Sequence, residues 1–209
     1  PASGFTCNFE DGLRAVYRST DGGGTWTTQY DAQSSTTSVN SMLLSNISVA
    51  KCQNSATYGQ GWYDNVVAVD PTNANVLWVG GIDLTRSDDG GATWGVMSYW
   101  WINSTLFPYA HADHHFIAFH PNYNGSSETR FYDANDGGVT VTSNPSATKG
   151  TSANDICPNT VGQLKGATYG SLNNGYQVTQ YYDGAVYPDG STFFGGAQDN
   201  GTTKGTTAG

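Results

Sequence analysis

Carboxylates and aromatic residues stand side by side at three places where a short apolar segment begins. These places read "WYDN" (62–65), "HADHH" (111–115) and "QYYD" (180–183). An aromatic face stacks on a sugar ring, and carboxylate or amide oxygens accept hydrogen bonds from sugar hydroxyls. We therefore expect a ligand site there. Its candidate binding residues are Trp62, Tyr63, His111, His114, His115, Asp136, Tyr181, Gln198 and Asp199.

Two further carboxylates, Asp64 and Asp113, are the candidate catalytic pair. Inverting glycosidases hold their two carboxyl groups roughly 6.5 to 9.5 Å apart. We expect Asp64 to lie at such a distance from Asp113 or from Asp136. The alternative is structural, because Asp83, Asp136 and Asp199 recur in register, as they would if each repeat needed the same turn hydrogen bonds. The recurrence favours the structural interpretation of those three.

The residues His111, Asp113 and His115 also have the spacing of a possible metal site. On a strand, alternate residues point to one face, and two imidazoles with a carboxylate can bind a divalent transition metal. Alternate strand residues are about 6.5 to 7 Å apart, however, which is awkward for three ligands of one ion. We predict a hydrogen-bonded cluster, with no metal and no other cofactor.

Charge and missing motifs exclude several other classes of function. The chain lacks G-x-S-x-G, a P-loop, a dinucleotide fingerprint and H-E-x-x-H. Its net charge of −9 repels phosphate backbones and anionic membranes, so we predict no nucleic-acid partner and no membrane insertion. No apolar run approaches the ~18 residues that a membrane span needs.

Short strands must position these residues. The chain contains 27 Gly and 13% aromatic residues but only 12% charged residues, a composition of strands and tight turns. Four strand patterns follow one another in "DNVVAVDP" (64–71), "NVLWVGG" (75–81), "DLTRS" (83–87) and "ATWGVMSYW" (92–100). The pattern recurs from "HHFIAFHP" (114–121) and from "YYDGAVYP" (181–188). Four short antiparallel strands per repeat predict an all-β fold built as a β-propeller.

A nine-residue motif occurs twice, as "RSTDGGGTW" (18–26) and "RSDDGGATW" (86–94). It resembles the Asp-box, or BNR repeat, of sialidase-like, sortilin-like and family 74 glycoside hydrolase-like propellers. The longer stretches "HADHHFIAFHP" and "GGAQDNGT" resemble a subgroup of secreted bacterial Asp-box proteins. The matching positions are Ser19, Asp21, Gly23, Thr25 and Trp26, and then Ser87, Asp89, Gly91, Thr93 and Trp94.

The resemblance implies a structural role for these boxes, in a hairpin between outer strands. The Asp caps backbone N–H groups, the Gly supplies a positive φ, and the Trp covers the turn. Sialidases of this superfamily use three arginines, and no such triad can be assembled here. Arg18 and Arg86 flank the boxes, which leaves Arg14 and Arg130. Any enzyme of this type is therefore expected to be a glycoside hydrolase other than a sialidase.

We expect one partial propeller over 1–209, with approximate blades 13–60, 61–110, 111–178 and an incomplete 179–209. Propellers need roughly four to eight blades, so a larger chain or self-association would complete the ring. The predicted function is a secreted or cell-surface module that binds glycan or extracellular protein. A glycoside hydrolase with a channel-mouth Asp pair, or a role in an extracellular assembly, is the alternative.

Cysteines and sequons give weaker indications of an extracellular protein. The odd count of Cys7, Cys52 and Cys157 allows a tentative Cys7–Cys52 disulfide, or a pair of either one with Cys157. In a eukaryotic secreted protein, glycosylation is predicted at the sequons Asn46, Asn103, Asn124 and Asn200.

Overall fold

The fold is all-β in the part of the chain that the computed structural model describes, residues 13–31, 43–47, 52, 58–157, 164–175, 180–198 and 201–207. The chain divides into two compact units, Pro1–Leu172 and Asn173–Gly209. The first unit contains two four-stranded antiparallel sheets and a two-stranded hairpin, and the second contains a three-stranded sheet. The predicted all-β fold with four-stranded antiparallel sheets is confirmed, whereas the division into blades stays a prediction.

The strands of unit 1 follow in chain order within each sheet. The hairpin consists of β1 (Ala15–Arg18) and β2 (Thr27–Asp31). The first four-stranded sheet consists of β3 (Val66–Val69), β4 (Leu77–Gly80), β5 (Leu84–Ser87) and β6 (Gly95–Val96). The second consists of β7 (His114–Phe119), β8 (Phe131–Asn135), β9 (Gly138–Thr142) and β10 (Gly170–Ser171). Each sheet is a simple meander of antiparallel neighbours. The connection from β9 to β10 is long and contains a single-turn helix.

The sheet of unit 2 is also a meander. It consists of β11 (Tyr181–Val186), β12 (Thr192–Ala197) and β13 (Gly201–Thr206).

A single-turn helix of unit 1, α1 (Ala153–Ile156), is capped by Ser152 in a reciprocal capping box with Asp155. Among the described residues, no helix is long and apolar enough to cross a membrane.

Two apolar clusters stabilise unit 1. One contains Trp78 of β4 and Phe131 of β8, whose rings meet edge to face with centroids 4.6 Å apart. Because these residues come from different sheets, the contact packs the two four-stranded sheets together. The other cluster joins Leu43 and Ile47 to Trp94, Tyr99 and the α1 segment.

The two Asp-box turns have the same internal hydrogen bonds. In the second box, Asp89 accepts from the Thr93 backbone N–H at 2.8 Å and from its hydroxyl at 2.6 Å. The corresponding distances from Thr25 to Asp21 are 2.8 and 2.7 Å. Gly91 has φ of 101°, a conformation that glycine adopts without strain. Each box thus closes its own turn.

The disulfide joins Cys52 to Cys157, with Cα atoms 5.2 Å apart. The tentative Cys7–Cys52 pairing is therefore wrong, and the alternative partner Cys157 is the observed one. Cys7 lies outside the described residues. Chain order misled the prediction, because the fold brings together two cysteines that are 105 positions apart.

The sequons differ in accessibility. The Asn46 side chain is fully buried, and its Oδ1 accepts from the Tyr58 backbone N–H, so Asn46 is not an available glycan acceptor and that prediction is wrong. Asn103 and Asn124 are exposed, and each Oδ1 accepts backbone hydrogen bonds within its own turn. Asn200 lies outside the described residues.

Candidate functional site

The loops before β3 and β7 and the turn after β8 meet at one edge of the two four-stranded sheets. The first strands of these sheets, β3 and β7, are neighbours. The His114 N–H donates to the Gly81 carbonyl at 2.9 Å, which ties the start of β7 to the end of β4. The Asp136 N–H donates to the Asp113 carbonyl at 3.2 Å. We call this edge the acidic mouth, defined by Gln60, Tyr63, Asp64, Asp113, His115 and Asp136.

Asp64 and Asp113 form a carboxyl pair at the base of the mouth. Asp64 is fully buried, and neither of its oxygens has an N–H or O–H donor when both carboxyl groups are ionised. Burial and the negative charge of Asp113 raise the pKa of Asp64 to about 8, and its side-chain hydrogen bond with Asp113 then contains the retained proton. Burial and the charge of Asp136 also raise the pKa of Asp113. The pair therefore shares a proton at neutral pH.

This close contact bears on the proposed catalytic pair. Two carboxyl groups at hydrogen-bonding distance leave no room for the roughly 6.5 to 9.5 Å separation of an inverting glycosidase. Asp113 is part-buried and has φ of 65°, a left-handed conformation that Asp tolerates better than most residues. The Gln60 Nε2 donates to Asp113 Oδ1 at 2.9 Å and fixes the orientation of its carboxyl group.

Asp136 accepts hydrogen bonds closer to solvent than the Asp64–Asp113 pair. The Tyr63 hydroxyl donates to Asp136, with both oxygens 3.0 Å away, and the His115 Nε2 lies 2.7 Å from Oδ1. The Tyr63 and His115 rings also meet edge to face, with centroids 4.9 Å apart. The Asp136 and His115 side chains are 21% and 35% exposed, so a ligand can reach this set.

Aromatic side chains border the mouth. Trp62 is 71% exposed and its ring lies 5.5 Å from that of Tyr63. Tyr58 is half exposed, and burial together with the charges of Asp113, Asp83 and Asp64 raises its pKa. Large exposed aromatic faces beside hydrogen-bond acceptors are the combination that binds sugar rings.

His114 is not available to a ligand, which corrects its assignment as a binding residue. It is fully buried, and its Nδ1 lies 2.8 Å from Asp133 Oδ1. Asn135 and Thr140 also donate to Asp133. At the start of strand β7, His114 is buried, whereas the next residue, His115, is exposed.

The residues His111, Asp113 and His115 do not converge. Strand β7 begins at His114, and its pairing with β8 is irregular between His114 and Phe116, so the three do not share one strand face. The His111 Nδ1 contacts the Ala112 carbonyl, whereas the other two side chains bond to Gln60 and Asp136. Over the described residues, no group of three His, Cys, Asp or Glu side chains could hold a metal ion.

The remaining predicted binding residues belong to unit 2. Tyr181 is half exposed and lines an open groove of about 510 Å³ with Tyr182, Phe193 and Phe194. The Gln198 N–H donates to the Gln180 carbonyl. Asp199 lies outside the described residues.

Sequence reasoning missed three residues of this region. Gln60 bonds to Asp113, and Asp133 bonds to His114. Tyr58 lies close enough to Asp113 and Asp64 for their charges to raise its pKa. None of the three belongs to a recognisable motif. The flanking glycines of "GQGW" (59–62) indicate a turn at Gln60 but do not indicate its contact with Asp113.

Comparison with known proteins places the chain in no family. No protein-family model matches it, and no curated protein matches it. Among solved structures, it is similar to the GH74 enzyme of Niastella koreensis, with a TM-score of 0.42 and 19% sequence identity. The match covers 93% of this chain and 24% of that one, so the chain spans about a quarter of that enzyme's length.

Proposed function

We propose that the chain is part of a secreted or cell-surface Asp-box β-propeller that binds carbohydrate at the acidic mouth. The observation that carries the proposal is the exposed Trp62–Tyr63 pair beside Asp136 and His115. Trp62 offers a flat apolar face, and Asp136 offers acceptors for sugar hydroxyls. The two repeated Asp-boxes and the four-stranded meanders support the propeller assignment.

The disulfide supports an extracellular location. Disulfides persist in oxidising compartments and are rare in the cytosol, where thiols are kept reduced. The Cys52–Cys157 bond joins a residue that precedes β3 in the chain to the residue directly after α1, within the larger unit. The partner is accordingly a glycan, free or attached to an extracellular protein.

A glycan panel tests the binding proposal. Trp62→Ala should weaken binding of the best glycan by about fivefold or more, since aromatic–ring contacts contribute about 1 kcal/mol or more each. Trp26→Ala is the matched control, because Trp26 is similarly exposed at 64% but belongs to the first Asp-box. Equal losses in the two variants, or no binding of any glycan by the unmodified protein, would contradict the proposal.

A glycoside hydrolase is the second candidate, and the shared proton of the Asp64–Asp113 pair favours it. A carboxyl group that keeps its proton at neutral pH can act as a general acid. The carboxyl groups of Asp64 and Asp113 are too close together to act as acid and base, so the base in this second candidate is Asp136. The negative charge of Asp136 raises the pKa of Asp113. Asp113 would protonate the leaving oxygen, and Asp136 would activate a water molecule.

Release of reducing ends from the bound glycan tests this second candidate. Asp113→Asn and Asp136→Asn should each lower kcat at least about 100-fold, as expected for loss of a general acid or base. Asp189→Asn, in an exposed turn of unit 2, is the control for loss of one negative charge. Binding without any turnover by the unmodified protein would remove the hydrolase and leave the binding module.

A further inference from the structure

We propose that the acidic mouth selects an amine-bearing sugar, such as a β-1,4-linked glucosamine oligomer, over the neutral or N-acetylated sugar of the same linkage. This inference rests on the proposed carbohydrate-binding function and specifies its ligand class. It comes from the charges of the mouth, from the buried Asp64 and from the exposed aromatic border.

Negative charge at the mouth is not offset by a nearby Arg or Lys of the described residues. The Arg and Lys ion pairs of unit 1 lie elsewhere: Arg14 with Asp31, Arg86 and Lys149 with Asp88, and Arg130 with Glu128. Within the mouth, the basic partner of a carboxylate is His115, whose Nε2 lies 2.7 Å from Asp136. The charged groups that act on Asp113 are Asp136, Asp64 and His114. A positive group on a ligand would therefore meet carboxylates first, and an acidic sugar would be repelled.

Asp64 shows that the mouth lacks a counter-charge for a second carboxylate. It is fully buried, and the hydrogen bond that joins it to Asp113 contains the proton that the pair retains. Burying a carboxylate without a donor or counter-charge is costly. Its neighbour Asp113 is part-buried and reaches towards the mouth, so an ammonium group beside Asp113 would let the pair release its shared proton and carry full charge.

The aromatic border adds to the same preference. An ammonium group over an indole or phenol face gains a cation–π attraction, whereas a neutral hydroxyl does not. Trp62 and Tyr63 stand beside Asp136, so one sugar residue can place its ring on Trp62 and its amine towards the carboxylates. An acetamide at the same carbon has no charge and is bulkier.

The test compares three trimers with one linkage that differ only at carbon 2 of each sugar: glucosamine, N-acetylglucosamine and glucose. Isothermal titration calorimetry at pH 6.5 and 0.15 M salt is used, so that long-range attraction to the acidic protein is screened. We expect the glucosamine trimer to bind at least about tenfold more tightly than the glucose trimer.

Variants then localise the preference. Asp136→Asn and Asp113→Asn should each reduce the ratio of glucosamine to glucose affinity at least about threefold, whereas Asp189→Asn should leave this ratio unchanged. Using the ratio separates charge selection from partial misfolding, because a misfolded site loses both ligands together.

The outcomes distinguish the two proposals. Equal or tighter binding of the glucose trimer overturns the amine preference and leaves carbohydrate binding intact. If Asp189→Asn lowers the ratio of glucosamine to glucose affinity as much as Asp136→Asn does, the amine preference is also overturned. The preference would then reflect general attraction of the ammonium groups to a negatively charged protein. If none of the trimers and no other glycan binds, the proposed function itself fails.

Discussion

At the residue scale, the defining feature is the carboxyl pair of Asp64 and Asp113. The two acids come from loops before different strands. Burial and the charge of Asp113 raise the pKa of Asp64, and burial and the charge of Asp136 raise the pKa of Asp113. A protein that placed them together only for stability would gain more from an apolar pair, because buried carboxylates are costly.

The pair makes the stability of the protein depend on pH. The pKa of Asp64 is about 8 in the folded protein, against 3.8 as its ordinary value. The folded state thus binds more protons than the unfolded state between about pH 4 and pH 8, so its stability falls as pH rises through that window. The full slope of one such group is about 1.4 kcal/mol per pH unit. We expect a loss of about 3 kcal/mol between pH 5 and pH 8, measured by urea unfolding.

Asp64→Asn provides the check, because the amide keeps the shape and cannot ionise. The variant should match the unmodified protein near pH 4 and be the more stable of the two at pH 8. Asp21 does not interfere, since backbone and side-chain hydrogen bonds from Thr25 lower its pKa to about 2, outside the window. Parallel pH profiles for variant and unmodified protein would show that Asp64 is ionised at neutral pH.

At the element scale, the two Asp-boxes have the same turn structure in two different environments, one exposed and one buried. The backbone hydrogen bonds that the Ser and Asp side chains accept agree to within about 0.1 Å, because they depend only on residues inside the turn. Burial differs: Trp94 is 2% exposed and Trp26 is 64% exposed. The β1–β2 hairpin covers the second box, with Val16 and Gln29 packed against Gly91.

This difference predicts unequal costs for the same substitution. Trp94→Ala should destabilise the protein by about 3 to 5 kcal/mol, since it empties a site in the core beside Leu43 and Tyr99. Trp26→Ala should cost about 1 kcal/mol or less, because most of the ring is already in water. The shift in urea midpoint of each variant measures the two costs. Similar costs would mean that the box itself, and not its packing, determines the contribution of the tryptophan.

At the scale of the whole molecule, the disulfide connects distant parts of the larger unit. Closing a loop of 105 residues restricts the unfolded chain, which corresponds to about 4 to 5 kcal/mol in the chain-entropy description. We expect Cys52→Ala and Cys157→Ala to lower stability by similar amounts, and the double variant to lose no more than either one. Thermal unfolding without reductant measures these losses.

Cys7→Ser is the matched control for that series and should unfold like the unmodified protein. A non-reducing digest should yield one cross-linked peptide pair containing Cys52 and Cys157. A pair containing Cys7 would contradict the assignment.

The local features of this protein follow from short stretches of its sequence. Strand patterns such as "DNVVAVDP" and the Ser, Asp, Gly and Thr positions of the boxes depend on neighbours within about ten residues, so their spacing was enough to predict all-β meanders and self-closing turns. The same spacing drew attention to Asp64, Asp113 and Asp136 as candidates, because they stand at strand ends.

The contacts between these residues depend on the tertiary fold. The contact of Asp64 with Asp113, the burial of His114 against Asp133 and the pairing of Cys52 with Cys157 all join positions between 19 and 105 residues apart. These contacts depend on how the two sheets pack and on where a strand pairing becomes irregular. Neither feature can be predicted from the type of a single residue. The position of a site along the chain is therefore a local property, whereas its geometry and proton affinity arise from packing.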